Sequence, residues 1–484
     1  MSTENNTPRP PRTSVPGVKD LGTYLDSIKN DPNEYRSVSR TVNPMNFDVT
    51  AILEHLDRRR QFPTVMFENT LDVNGNPSQF PVLSNLWATR ERCADAIGLP
   101  PEKAKAELGL HLSDMVDQRI EPVVITDAPV QENVWKGADA DIMRLPVVRH
   151  SEMDLGGVLT MALAMRAPDD DFYNITFVKQ FAESSAGGGV TIHSADMSRM
   201  LREWERRGEP IPVINILGHH PAFWTGTLNN TPYGDNEYAT AGGFLGQPVR
   251  LVNSVTWGSD FLVPADAEII IEGEITPGEK TIVDPFGEIS RQYQPQELAP
   301  MMRTKAITFR NGAIMQDIFS GHREHMLLGS IPREGTIHKH LANKIGSVTA
   351  VHLPFSGCGR YVAYISIKKG TDYQGKLAAL QAIAHVPNLQ VAVVVDHDID
   401  VFNEEDVLWA VNTYVDPAVD VDTVSNLRHP TDPRGLGSTR VLIDATRPTH
   451  IAFPTRLQVP QDAMARVVLE DWLDDVTTRV EATR

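Results

Sequence analysis

From Val123 to residue 328 the sequence is a succession of short β-prone runs with almost no helical spacing between them, and this limits the fold more than any other feature. "GVLTMALAM", "FYNITFVKQF", "PVINILG", "PVRLVNSVTW", "AEIIIEGEI" and "AITFRNGAIMQDIF" follow one another, several with apolar residues at every second position and Gly, Pro or Asn at the joins. One helix interrupts them, Ala195 to Arg207, stopped by Gly208. Strands in series without crossover helices predict an antiparallel barrel or sandwich, not a doubly wound sheet. After about Ser330 the texture changes. "SVTAVHLP", "YVAYISIK", "LQVAVVVD" and "RVLID" alternate with the helical "GKLAALQAIAH" and "NEEDVLWAVNTYV", an α/β signature in which Asn403 is suited to cap its helix.

The sequence therefore predicts a multidomain α+β and α/β protein. Residues 1–17 are Pro-rich and polar and read as a disordered tail, and residues 18–122 as an α-containing region. Residues 123–328 form the β-rich domain, 329–450 the α/β domain, and 451–484 an amphipathic C-terminal helix whose apolar stripe needs a partner, such as another subunit.

At 484 residues the chain is long enough to bury a site between domains. With 45 Lys+Arg against 63 Asp+Glu its formal charge is −18, which opposes binding to nucleic acid because no segregated basic stripe is present. Cys93 and Cys358 stand far apart, arguing against a disulfide scaffold or a cysteine zinc site and for a reducing, cytoplasmic setting. No apolar run approaches the roughly 20 residues of a membrane helix.

Asn174, His193 and Glu237 stand out within the β-rich region. An amide oxygen, an imidazole and a carboxylate suit a divalent ion such as Mn²⁺ or Mg²⁺ if other oxygens complete the shell, although Asn in a strand is more often a turn or edge residue and a lone His is usually structural. Gly187 to Gly189 in "ESSAGGGVTIH" reads either as an anion-binding loop or as a plain hairpin connection.

Taken in order, these stretches resemble the UbiD family of decarboxylases that use prenylated FMN. "GGVLT" is similar to the family's GGxYIT, "NITFVKQ" to N-x4-R-x-Q, and "NEYATAGGFLGQPVRLV" to SEYxxAGxLRGEPVxLV. "DPFGE" resembles EGPxGE/D, and "GLGSTRVLIDATRP" resembles GxGSKxGxDAT. The resemblance implies a split β-barrel flavin domain joined to an α/β oligomerisation domain, with dimers or hexamers expected. It implies that Asn174, His193 and Glu237 hold a divalent metal, Mn²⁺ first with Fe²⁺ or Mg²⁺ as alternatives, bridging to the flavin phosphate beside K⁺. Thr160 and Lys179 would line the flavin site, and the glycine loop would lie near the phosphate. A flavin prenyltransferase would supply the cofactor. The implied reaction is non-oxidative, reversible decarboxylation of an aromatic or α,β-unsaturated acid, with Glu288 as a proton donor that burial keeps protonated.

Two positions depart from the family's Glu-Arg-Glu triad. Lys179 replaces the arginine and loses its planar fork, and Val283 replaces the first glutamate, with Asp284 one residue along on the opposite face. Either the substrate supplies its own activation, as an aryl-CoA thioester such as phthaloyl-CoA would, or His322, His325 or Lys339 enters the pocket, as in relatives acting on free phenolic or heteroaromatic acids. A metal-dependent hydrolase and a non-catalytic flavin-binding subunit are the rival readings.

Overall fold

The computed structural model describes residues 10–229, 231–427 and 437–472. They fall into two units, Met1–Gly335 and Thr336–Arg484. The first is organised on six strands: β1 (Val158–Arg166), β2 (Tyr173–Phe181), β3 (Gly187–Thr191), β4 (Ile211–Leu217), β5 (Ile269–Val283) and β6 (Glu297–Phe309). They pair antiparallel in the order β5-β4-β1-β2-β3-β6, and β6 pairs back onto β5, so the sheet closes into a barrel without free edges. Segments cover the outside as well, so Val158 to Met165 are buried on both faces of β1 and read as a continuous apolar run.

The three glycines form no loop. They are the start of β3, with Gly187, Gly188 and Gly189 opposite Arg303, Met302 and Met301. A Cβ would collide with the Met302 carbonyl oxygen at Gly187, the Phe181 carbonyl oxygen at Gly188 and the Val283 side chain at Gly189. Close strand packing by itself requires glycine at these positions.

The N-terminal region carries more than helices. Tyr35–Val38, Thr64–Phe67 and Val82–Ser84 form a sheet that Met315–Gln316 completes from beyond the barrel. Helix Asp48–Arg58 packs Val49 and Leu53 onto it, against Val65, Phe67 and Val82. The expected disordered tail is docked at its far end: Arg12 pairs with buried Glu268 and with Asp20, and Arg310 lies 2.7 Å from Asp20. Buried partners override the polar, Pro-rich composition there; residues 1–9 lie outside the described residues.

The second unit holds a five-stranded sheet in the order Val348–His352, Val362–Ile367, Val391–Asp396, Ser438–Ala445, Val421–Leu427. Its three central strands run parallel, and helix Gln374–His385 packs Ala378 and Ala382 against Ile365, Val394 and Leu442. In place of one C-terminal helix there are two short ones, Gln461–Arg466 and Leu469–Trp472; the rest of the predicted helix lies outside the described residues. Among the described residues no helix is long and apolar enough to cross a membrane.

Candidate active site

Strand register brings Lys179 between Thr160 on β1 and Thr191 on β3, so the three residues form a row across the barrel wall. The Lys179 backbone N–H donates to Thr191 Oγ1 at 3.3 Å. Glu288 arrives from the opposite direction, on a turn after the short strand Phe286–Gly287, closed by the Arg291 N–H donating to the Glu288 carbonyl at 2.9 Å. Lys179 Nζ donates to Glu288 Oε1, and the two side chains are 8% and 15% exposed. The Ile289 N–H donates to the second carboxylate oxygen at 2.8 Å.

This pairing corrects the expectation of a protonated acid. Burial does push the Glu288 carboxyl up, but the Lys179 ammonium, His325 and the hydrogen bonds outweigh it and hold the group down to about 2. Glu288 rests as a carboxylate.

Residues 317–325 close the other side. Ser320 Oγ lies 3.0 Å from Thr160 Oγ1, and the Gly321 N–H donates to His325 Nδ1 at 3.1 Å. Gly321 has φ +71°, and a Cβ there would approach the Glu288 carbonyl oxygen to 2.8 Å, so only glycine fits. Val283 is fully buried in an apolar cluster with Val158, Phe181, Phe286 and Ala299. Asp284 sits nearer Glu183, whose carboxyl is raised by burial and, among its neighbours, by Asp284. No second acid therefore joins Glu288 from this strand.

The three metal candidates divide. Glu237 opens helix Glu237–Leu245 and is buried; Asn174 Nδ2 donates to its Oε1 at 3.0 Å, Thr231 Oγ1 at 3.4 Å, and the Ile175 N–H donates to Oε2. Burial lifts its carboxyl well above the ordinary range despite these bonds. Asn174 Oδ1 is buried without a partner. A buried carboxyl beside an orphaned amide oxygen fits a hard cation as the missing partner. His193 lies apart, more than half exposed, with Nε2 3.7 Å from Glu297; among the described residues no hydrogen bond joins it to Asn174 or Glu237.

His322 is buried and stacked on Phe319 at 4.8 Å, neither ring nitrogen has a partner, and burial lowers its pKa. Lys339 belongs to the second unit. Two features were not expected from the sequence, Ser320 and a buried His150–Asp317 pair, Nε2 to Oδ1 at 2.9 Å. The chain separations involved leave no spacing signal for either.

Comparisons with known proteins cover most of the described fold. Residues 27–111, 122–323 and 326–445 match the N-terminal, Rift-related and C-terminal domains of the 3-octaprenyl-4-hydroxybenzoate carboxy-lyase family, UbiD. The chain belongs to the UbiD family of carboxy-lyases. It is 28% identical over 474 residues to gallate decarboxylase of Lactiplantibacillus plantarum, covering 89% of this chain and 94% of that one. Among solved structures, an evolved dimeric form of the UbiD-class enzyme HmfF from Pelotomaculum thermopropionicum, in complex with prFMN, has TM-score 0.84 and 29% identity, covering 94% of this chain and 100% of that one. The apo 3,4-dihydroxybenzoic acid decarboxylase of Enterobacter cloacae has TM-score 0.83 and 26% identity, covering 93% and 99%. This chain is accordingly a decarboxylase of the UbiD type.

Proposed function

We propose that the protein removes CO₂, non-oxidatively, from a free aromatic hydroxy acid, using prenylated FMN, a divalent cation at Asn174 and Glu237, and the Lys179–Glu288 pair. The observation that carries this reading is the buried ion pair itself, set opposite Thr160 and Ser320 and completed by His325. Bound prenylated FMN supplies an electron sink for the pair of electrons released when the ring–carboxylate bond breaks. Mn²⁺ suits the oxygen donors, His193 is a third candidate ligand, and K⁺ is the expected monovalent companion.

The chain's own groups account for binding and proton transfer. Lys179 is a buried cation that draws in an anionic carboxylate. Because Glu288 rests ionised, it acts first as a base, taking a proton from the substrate hydroxyl or from water, and then returns it to the ring carbon that CO₂ has left. The balance is one carboxylate and one proton in, one C–H bond and CO₂ out. Buried Phe286, with its ring 5.9 Å from Lys179 Nζ, and Val283 keep water from that carbon.

Free aromatic acids are favoured over thioesters because two of the relatives are decarboxylases of gallate and of 3,4-dihydroxybenzoate. Co-expression with a flavin prenyltransferase, followed by CO₂ release from gallate, 3,4-dihydroxybenzoate and phthaloyl-CoA, tests this. Turnover of phthaloyl-CoA alone moves the assignment to an aryl-CoA thioester. A protein without flavin absorbance after this co-expression removes prenylated FMN from the mechanism.

A further inference from the structure

The stretch from Asp317 to His325 touches the surroundings of the reacting pair at three points: Ser320 at Thr160, Gly321 against the Glu288 carbonyl, and His325, whose charge acts on Glu288. A short strand, Met315–Gln316, delivers it. What fixes it thereafter is Asp317. Its backbone N–H donates to the Leu83 carbonyl at 2.8 Å, its Oδ2 accepts from Ser84 Oγ at 3.3 Å, and its Oδ1 lies 2.9 Å from His150 Nε2. His150 is anchored in turn, its N–H donating to Asp154 Oδ2 at 3.2 Å, and its ring lies 5.7 Å from that of Phe319. Both members of the pair are 2% exposed. Burying an acid and an imidazole together is costly unless the geometry is used, and the proton transfer described above does not use it.

We propose that the His150–Asp317 pair is a positioning device for decarboxylation: it sets the 317–325 stretch against Thr160 and Glu288, so that its loss misplaces the groups around the substrate without touching the reacting atoms. This rests on the reading of Lys179 and Glu288 as the reacting pair. Displacements of about an ångström at such a distance cost roughly a hundredfold in rate.

The pair also carries a pH signature. His150 faces Asp317 and Asp154 on its acidic side and Lys179 on its basic side; burial disfavours the imidazolium, but the charge and hydrogen bond of Asp317 more than offset it, and the pKa is raised. A raised imidazole pKa means the charged pair stabilises the fold fully below the ordinary histidine range, and its ionic attraction is lost as pH climbs through the folded value. Turnover should therefore have an alkaline limb that belongs to His150.

The test uses flavin-loaded full-length His150→Gln and Asp317→Asn, with amide hydrogen exchange on the unloaded proteins. Expected for Asp317→Asn are a kcat loss of about tenfold to a hundredfold, with KM changing less, and exchange across residues 318–325 about tenfold faster. His150→Gln has no imidazolium at any pH; it should show at neutral pH the reduced turnover that the wild type reaches only above the limb, and so lose the alkaline limb. An unchanged limb in His150→Gln, or unchanged exchange in Asp317→Asn, overturns the proposal. Should Asp317→Asn fail to fold, His150→Gln alone decides. If the wild type decarboxylates nothing, the reading of the site fails separately, and the exchange measurement still decides this one.

Discussion

Two buried carboxyl groups in the same unit are held in opposite states. Glu288 meets the Lys179 ammonium and is held down to about 2, while Glu237 meets an amide, a hydroxyl and a backbone N–H and is pushed well above the carboxylate range. Burial acts on both in the same direction, so the difference lies in the cation. A carboxylate that carries its own cation stays ionised; one without it, beside the orphaned Asn174 oxygen, has the donor chemistry that suits a cation from outside.

The comparison breaks most severely at Glu288. Glu288→Gln keeps shape and removes the proton exchange, so CO₂ release should fall by about 10²- to 10⁴-fold while flavin absorbance stays. Lys179→Met should make Glu288 resemble Glu237: with burial unopposed by the ammonium, its carboxyl pKa rises, turnover is lost, and the fold loses about 3 kcal/mol, measured by urea denaturation. A Lys179→Met protein as stable as wild type would show the pair to be energetically idle.

Glu237 gives the complementary test. Mn²⁺ added at about a hundred times its Kd should stabilise the wild type by about 2.7 kcal/mol in thermal unfolding, and Glu237→Gln or Asn174→Leu should erase most of that gain. Equal stabilisation of Glu237→Gln would place the cation elsewhere.

A third buried carboxyl sharpens the contrast at the smallest scale. Glu324 accepts the Asn85 N–H at 2.8 Å and the Trp87 N–H at 3.2 Å, and burial raises it to about 8 despite them. A carboxyl raised above its unfolded value of 4.5 favours the folded state most in acid and gives up that stability as pH rises toward 8. Glu324→Gln should flatten this loss, leaving the variant's Tm a few degrees higher relative to wild type at pH 8 than at pH 5.

Much of this was legible in the sequence. Period-two runs announced the β-rich unit and the later alternation announced the α/β unit, because side-chain periodicity is local. The motif positions pointed to Lys179, Glu288, Asn174 and Glu237, and the structure brings Lys179 to Glu288 and Asn174 to Glu237. What stayed hidden depends on contacts between distant segments: β6 returning to β5 to close the barrel, the glycine run as a strand, and Met315–Gln316 joining the N-terminal sheet. Ionisation was hidden for the same reason. The partner that overturns the burial effect on Glu288 lies 109 residues away in sequence.

In the proposed reaction Glu288, held ionised by Lys179, takes up a proton and delivers it to the carbon that CO₂ leaves. Turnover of 3,4-dihydroxybenzoate in D₂O by the flavin-loaded enzyme, followed by NMR, tests it directly. Wild type should place one deuterium at the vacated ring carbon, and Glu288→Gln should give almost no product; deuterated product formed by Glu288→Gln at the wild-type rate would mean that another group delivers the proton.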